Sequence, residues 1–105
     1  MPRWLVASVV GPSMVPALYH GDRVLARRSA MIRPGDLVVG RFTGLDRLVV
    51  KRAVRPVGGD WYIESVNPYA GGDSAVYGPA EIVARVVCRC WPPRRWAGIR
   101  RARIS

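Results

Sequence analysis

The sequence has 105 residues, a formal net charge of +10 and an apolar fraction of 50%. This length gives room for one domain, and the apolar content is typical of a globular chain rather than a disordered one. No run approaches the ~20 consecutive apolar residues that a membrane span requires, so we expect a soluble, unexported, cytoplasmic protein without a transmembrane anchor.

Short Val-rich runs separated by glycine, proline and aspartate predict a chain made mostly of β-strands. The breaks between the runs carry turn chemistry, as in "RPGD", "TGLD" and "PVGGD". Many short strands without βαβ spacing predict an all-β, barrel-like or coiled-sheet domain, in which closure protects the strand edges. The predicted strands, in chain order, are 4–10, 22–28, 36–42, 47–57, 60–66 and 81–91.

One segment, "SMVPALYHG", has the pattern of a short helix. Ser13 is a suitable N-cap, Pro16 is tolerated in a first turn, and Gly21 is a suitable end. The segment follows the first strand directly, where Gly11 and Pro12 force the chain to turn. A serine in that place is either a simple helix cap or an exposed nucleophile beside backbone N–H groups that can stabilise an oxyanion.

The fourth predicted strand contains the chain's only lysine, Lys51, whereas every other basic residue is arginine. Arginine keeps its proton in a protein, but a buried lysine can lose it. Strand alternation puts Val49, Lys51 and Ala53 on one face, where loss of hydration lowers the pKa of an ammonium group. Lys51 is therefore a candidate general base for Ser13. The alternative is a strand lysine that keeps its ammonium group in water.

Other side chains that could act as catalytic groups or metal ligands give weaker evidence of function. His20 and Asp22 offer a histidine-based triad with Ser13, but their turn, "YHGD", is better explained as a surface loop. Cys88 and Cys90 are too close for an unstrained disulfide and lack the second ligand pair of a zinc site. We therefore predict reduced thiols and expect neither a metal nor a cofactor.

Taken in order, five segments resemble the signal peptidase I family of Ser/Lys proteases: "GPSMVPAL", "GDRVLARR", "RPGDLVV", "LVVKRAV" and "NPYAGGDSAVYG". The resemblance implies one small signal-peptidase-like β-domain over residues 1–92, with a short helix after the nucleophile. Within the family, the small size and the lack of an anchor resemble the nickel-type superoxide dismutase maturation proteases. The resemblance thus implies a serine endopeptidase that removes an N-terminal propeptide from a precursor protein, with the nickel superoxide dismutase proenzyme as the expected substrate.

The resemblance also implies roles for individual residues. Ser13 would be the nucleophile and Lys51 the general base, with the Ser13 backbone N–H in the oxyanion hole. Met14 and Pro16 would form the substrate-binding wall. Some family members have a hydroxyl two residues before the nucleophile, where this chain has Gly11, which offers backbone support alone.

Further residues would support the lysine. An ion pair between Asp73 and Arg52 would brace the site, and Ser74 is a candidate for orienting Lys51. The last family box departs from its usual pattern, because Val66 and Gly71 stand where aspartate and serine are common. A catalytically weakened or inactive binding module with the protease fold is therefore the alternative function.

The end of the chain is strongly basic. Residues 91–105 hold five arginines and no acidic residue. We interpret 93–105 as a solvated Arg-rich tail, although such a segment can also contact nucleic acid or anionic lipid, and "WPPRRW" is compatible with peripheral membrane contact. Self-cleaving repressors also use a Ser/Lys dyad and bind DNA, but 105 residues leave no room for a separate helix-turn-helix domain. We therefore do not expect nucleic-acid binding.

Overall fold

A computed structural model describes residues 3–28, 31–70 and 72–89, together with the backbone of 100–104. Every predicted strand is present, so the prediction of a small all-β domain is confirmed. The described residues include no helix with the length and hydropathy of a membrane span. The elements are β1 (Trp4–Val9), β2 (Arg23–Arg27), β3 (Leu37–Phe42), β4 (Val49–Val57), β5 (Asp60–Glu64), α1 (Ser74–Tyr77), β6 (Ala80–Arg89) and β7 (Arg100–Ile104).

The strands form one sheet in the order β3-β4-β5-β6-β2-β1-β7, and β3 also pairs with β6. Because of this additional pairing, β3, β4, β5 and β6 form a closed ring, from which β2, β1 and β7 extend. Strand β6 joins the two parts, since its residues 80–85 pair with β3 and its residues 85–89 pair with β2. The described pairs are antiparallel apart from β1 with β7, which is parallel. The ring therefore has an inner face, which it encloses, and an outer face.

Two apolar clusters fill these faces. Val38 and Val49 belong to one cluster, whereas their chain neighbours Val39 and Val50 belong to the other. Strands β3 and β4 are therefore buried on both faces, which explains why their sequences are continuous valine runs rather than alternating patterns. The next residue of β4, Lys51, is also buried and lies on the same face of the strand as Val49 and Ala53.

The helix predicted after the first strand is not formed. Residues 11–18 make a succession of turns, with hydrogen bonds from Val15 N to Pro12 O (3.2 Å) and from Leu18 N to Met14 O (2.8 Å). Met14 and Leu18 are both buried in the core. Their helix-like spacing thus reflects one turn that is anchored at both ends, and the helix of the described chain, α1, lies between β5 and β6 instead.

The end of the chain differs from the predicted tail. The backbone of 100–104 forms β7, which pairs in parallel with residues 5–9 of β1. The backbone of this stretch therefore extends the sheet, and the solvation of its arginine side chains stays a prediction. Residues 93–99 lie outside the described part of the chain, as do Gly71 and Cys90.

Candidate active site

One surface cavity brings the two main candidate residues together. It has a volume of about 500 Å³ and lies between the turn after β1, the start of β4 and the segment that leads to α1. In the described part of the chain, no group of three or more histidine, cysteine or acidic side chains is placed to hold a metal ion. The cavity is lined by Val10, Gly11, Pro12, Ser13, Leu45, Arg47, Val49, Lys51, Tyr69, Ala70 and Gly72.

The hydroxyl group of Ser13 is buried without a hydrogen-bond partner. The residue is 8% exposed, and its Oγ is the single buried side-chain atom among the described residues that lacks a partner. An unpaired buried hydroxyl group costs about 1–3 kcal/mol, and such groups are rare in folded proteins. The helix-cap interpretation is therefore wrong, since a cap would accept a hydrogen bond from a backbone N–H. The hydroxyl group is instead available to a ligand in the cavity.

Lys51 is 3% exposed and lies on the cavity side of β4. Burial lowers the pKa of its ammonium group below the ordinary value; the charge of Asp73 opposes this shift, and the charge of Arg47 adds to it. The neutral amine therefore forms more easily here than in an exposed lysine. An arginine in this place could not be deprotonated, which gives a physical reason for the single lysine of the sequence.

The Ser13 hydroxyl and the Lys51 amine share the cavity without a hydrogen bond between them. Contacts between catalytic groups are often long in a resting site and shorten when substrate binds. A proton can therefore pass from Oγ to Nζ once these two atoms come within hydrogen-bond distance. The arrangement places a hydroxyl group and an amine in one cavity but does not hold them in contact.

The turn that carries Ser13 is braced on its outer side. Gly11 has φ 87°, a conformation that favours glycine. Its N–H donates to Nδ1 of His20 (3.1 Å), so His20 supports the turn and does not line the cavity. Asp22 pairs with Arg89 (3.6 Å) instead of orienting His20 toward the serine. The histidine-based triad is thus not formed.

Asn67, which lies between β5 and α1, also holds this turn. Its backbone N–H donates to Ser13 O (2.9 Å), and its Nδ2 donates to Pro12 O (3.0 Å). These are the two carbonyl groups on either side of the Ser13 Cα. The Asn67 Oδ1 accepts a hydrogen bond from the backbone N–H of Tyr69 (3.0 Å), so the segment that holds the serine turn also carries a residue that lines the cavity. Sequence reasoning missed this role because the "NP" dipeptide is also ordinary turn chemistry.

The predicted supporting residues near α1 differ in what they contact. Asp73 caps α1, with Oδ1 accepting from Ala75 N (3.1 Å), and its charge acts on Lys51. Ser74 is buried, and its Oγ accepts from Ile63 N (2.8 Å). Ser74 thus connects α1 to β5, and its orienting role toward Lys51 stays a prediction.

The predicted ion pair between Arg52 and Asp73 is not formed. Arg52 follows Lys51 on β4, so it points to the opposite face of the sheet, directly across from Glu64 on β5. Its Nη2 lies 2.6 Å from Oε1 of Glu64, and both side chains are partly exposed. An exposed pair of this kind contributes at most about 1 kcal/mol. Arg52 thus supports strand pairing rather than the cavity.

Met14 and Pro16 do not line the cavity, in contrast to the prediction of a substrate-binding wall. The turn directs the Met14 side chain inward, where it is fully buried in the core, and Pro16 is exposed on the outside. Leu45 and Tyr69 form the apolar wall instead. The sequence does not show which of these residues line the cavity, because this depends on the direction in which the turn leaves β1.

Residues 3–87 match the family model described as Peptidase S24-like. This match covers most of the chain and includes both Ser13 and Lys51. The chain belongs to the Peptidase S24-like family. The family lies in the superfamily of LexA and signal peptidase I-like proteins, so the broader relationship inferred from the sequence is confirmed, together with a serine-peptidase type of fold. A search of curated proteins gave no match.

Proposed function

We propose that this Peptidase S24-like chain is a serine endopeptidase in which Ser13 is the nucleophile and Lys51 the general base. One observation carries the proposal: an unpaired buried hydroxyl group shares a cavity with a buried lysine whose pKa is lowered. Each of these features costs folding free energy. Both are what Ser/Lys catalysis requires, so a catalytic role explains why they occur together.

In the proposed reaction, the neutral Nζ of Lys51 takes the proton of Ser13 Oγ as Oγ bonds to the scissile carbonyl carbon. The Ser13 backbone N–H donates to the oxyanion. The Lys51 ammonium group then gives its proton to the leaving amine as the peptide C–N bond breaks. Lys51 next takes a proton from water, whose oxygen attacks the acyl carbon, and returns this proton to Oγ as the ester bond breaks.

For the substrate, we propose an N-terminal propeptide of a precursor protein, with the nickel superoxide dismutase precursor as the first candidate. The support is the set of sequence segments that resemble the signal peptidase I family, within which the maturation proteases are the subgroup inferred from the sequence. The site also lies at the surface, where Tyr69 is 95% exposed at the cavity wall, so an extended chain can reach it. The cytoplasmic location stays a prediction.

The decisive experiment incubates the purified chain with that precursor and follows the precursor's N-terminus by mass spectrometry. We expect one trimmed product with the wild type and none with Ser13→Ala. A serine-reactive fluorophosphonate probe, tested in parallel, should label Ser13. Labelling without trimming would point to a peptidase with another substrate, whereas failure of both at neutral and alkaline pH would contradict the proposal. The mass of the chain itself, measured in the same samples, detects self-cleavage.

A binding module without turnover is the second candidate. Val66, which stands where the family box commonly has aspartate, packs against the cluster that contains Val39 and Val50 and brings no charge to Lys51. In that case the precursor would bind equally well to the wild type and to Ser13→Ala, without any acylation of Ser13. Binding measured by calorimetry alongside probe labelling separates the two functions.

Asn67→Asp is predicted to lower kcat by about 10²-fold without unfolding the protein, the size of effect that a displacement of about 1 Å can cause. The substitution keeps an oxygen that can accept from Tyr69 N, but it replaces the donor to Pro12 O by a second acceptor, so two oxygen atoms face each other. The measurement is kcat and KM on one peptide, with thermal unfolding as the control. A lower melting temperature with unchanged kcat would show that Asn67 holds the fold rather than the nucleophile.

A further inference from the structure

The cavity that holds Ser13 and Lys51 carries charge of one sign. Arg47 and Lys51 are its charged lining residues, and the lining includes no acidic side chain. Arg47 is exposed, and neither of the two ion pairs found among the described residues involves it. Its guanidinium group thus lies at the edge of the site with its donors directed to solvent or to a ligand.

The backbone fixes the place of Arg47. It lies in the bend between the Gly44 turn, where φ is 88°, and Leu48, which is buried in the core. The residue after Leu48, Val49, lines the cavity. Arg47 is therefore attached to an anchored segment at the cavity edge. Arg47 and Lys51 line the same cavity, so a substrate bound in this cavity lies near both cations.

We propose that Arg47 is a specificity-determining residue that binds an acidic side chain of the substrate close to the scissile bond. This inference rests on the proposed peptidase function and gives it a substrate class, namely peptides with glutamate or aspartate near the cleavage site. A guanidinium group offers paired donors that match a carboxylate. The apolar wall formed by Val10, Leu45 and Tyr69 contacts the neighbouring, uncharged part of the peptide.

The carboxylate binds at Arg47 and not at Lys51 because the two cations differ in exposure. Lys51 is almost completely buried, and moving a carboxylate to that depth would remove it from water at high cost. Arg47 remains hydrated, so a carboxylate can pair with it without entering the cavity. The arginine thus selects the substrate while the lysine stays free to act on Ser13.

The test uses short blocked peptides in matched pairs, in which one position at a time carries either glutamate or its uncharged counterpart glutamine. We expect one position at which glutamate raises kcat/KM by about five- to tenfold at low salt, with a smaller effect at 1 M salt. Arg47→Gln should remove the difference, and Arg47→Glu should reverse it in favour of a lysine peptide. Arg55→Gln, a substitution toward the other end of β4, is the control that should leave the preference for glutamate over glutamine unchanged.

The outcomes separate this inference from the proposed function. The role of Arg47 is overturned if the wild type cleaves peptides without a glutamate preference, or if the preference persists in Arg47→Gln. Neither result contradicts the proposed peptidase function. If the wild type cleaves no peptide, binding of the same pairs to Ser13→Ala decides the question by fluorescence anisotropy. Equal affinities for the glutamate and glutamine peptides at every position would then overturn the inference on their own.

Discussion

Lys51→Met should abolish peptide hydrolysis and, at neutral pH, make the fold more stable. Removal of one member of a serine-peptidase catalytic group lowers kcat by on the order of 10⁴-fold or more. The buried ammonium group is unfavourable for folding, whereas the unbranched methionine side chain fills a similar space without charge. We expect the free energy of unfolding to rise by on the order of 1 kcal/mol, as for other substitutions that stabilise a protein at the cost of its activity.

The stability difference should depend on pH with a definite sign. Because folding lowers the pKa of Lys51 from 10.5, the unfolded chain binds more protons than the folded chain between the folded pKa and 10.5. The wild type therefore becomes more stable as pH rises through this window, and the burial penalty is fully present below it. Lys51→Met has no ammonium group to bury, so the stability of this variant does not change with pH in this way. The difference in stability between the variant and the wild type should therefore shrink as the solution becomes alkaline. Hydrolysis by the wild type should rise over the same range, as the amine becomes neutral.

Two measurements check this result. One is thermal unfolding of both proteins at neutral and alkaline pH, and the other is the rate of Ser13 acylation over the same range. Lys51→Arg is the matched control, because it keeps the positive charge and cannot be deprotonated. It should be inactive at every pH and less stable than the wild type. A Lys51→Met protein that is less stable than the wild type at neutral pH, or still acylated at the wild-type rate, would contradict the assignment.

Met14→Ala should destabilise the fold by about 2–5 kcal/mol, the usual cost of truncating a fully buried methionine. Met14 directly follows Ser13 and is completely buried in the same cluster as Val9 and Leu18. The substitution leaves an empty space beneath the turn, so acylation of Ser13 should also slow in the fraction that stays folded. The effect arises from packing and not from substrate contact.

The chain offers a matched control for this experiment. Met31 is 75% exposed, so Met31→Ala should change stability by less than about 0.5 kcal/mol. Urea unfolding of both variants gives the comparison, with an unchanged m-value as the check that the unfolded states are alike. Equal midpoints for Met14→Ala and the wild type would show that Met14 is not an anchor of the turn.

Much of the fold could be predicted because the strands carry their own signal. Runs such as "LVVG" and "LVVK" are apolar enough to be buried on both faces, and glycine, proline and aspartate mark where each run ends. The helix after β1 was mispredicted because Ser13, Pro16 and Gly21 have the pattern of a helix cap, a first turn and an end, although a succession of turns accommodates the same residues. β7 was missed because the arginines dominate "RRARI", although Ala102 and Ile104 fall on one face of a strand, and because its place depends on backbone pairing with β1.

The candidate site was predictable where chemistry restricts the choice of residue. A single lysine among many arginines points to a group that must lose its proton, and a serine after a sharp turn points to exposure of a hydroxyl. The neighbours of these residues could not be predicted, because strand register decides them. Arg52 meets Glu64 across β4 and β5 rather than Asp73. Asn67 reaches Ser13 through a contact between distant parts of the chain.

The hydrogen bonds from Asn67 to the serine turn also set the order in which activity can arise during synthesis. Ser13 and Lys51 are both present in the polypeptide before residue 67 has been added. The turn is held in place only after the segment with Asn67 has been synthesised and its hydrogen bonds to Pro12 O and Ser13 O have formed. Contacts between distant parts of a chain, such as these, form slowly. Under the proposed function, we therefore expect a growing or incompletely folded chain to be unable to hydrolyse peptides.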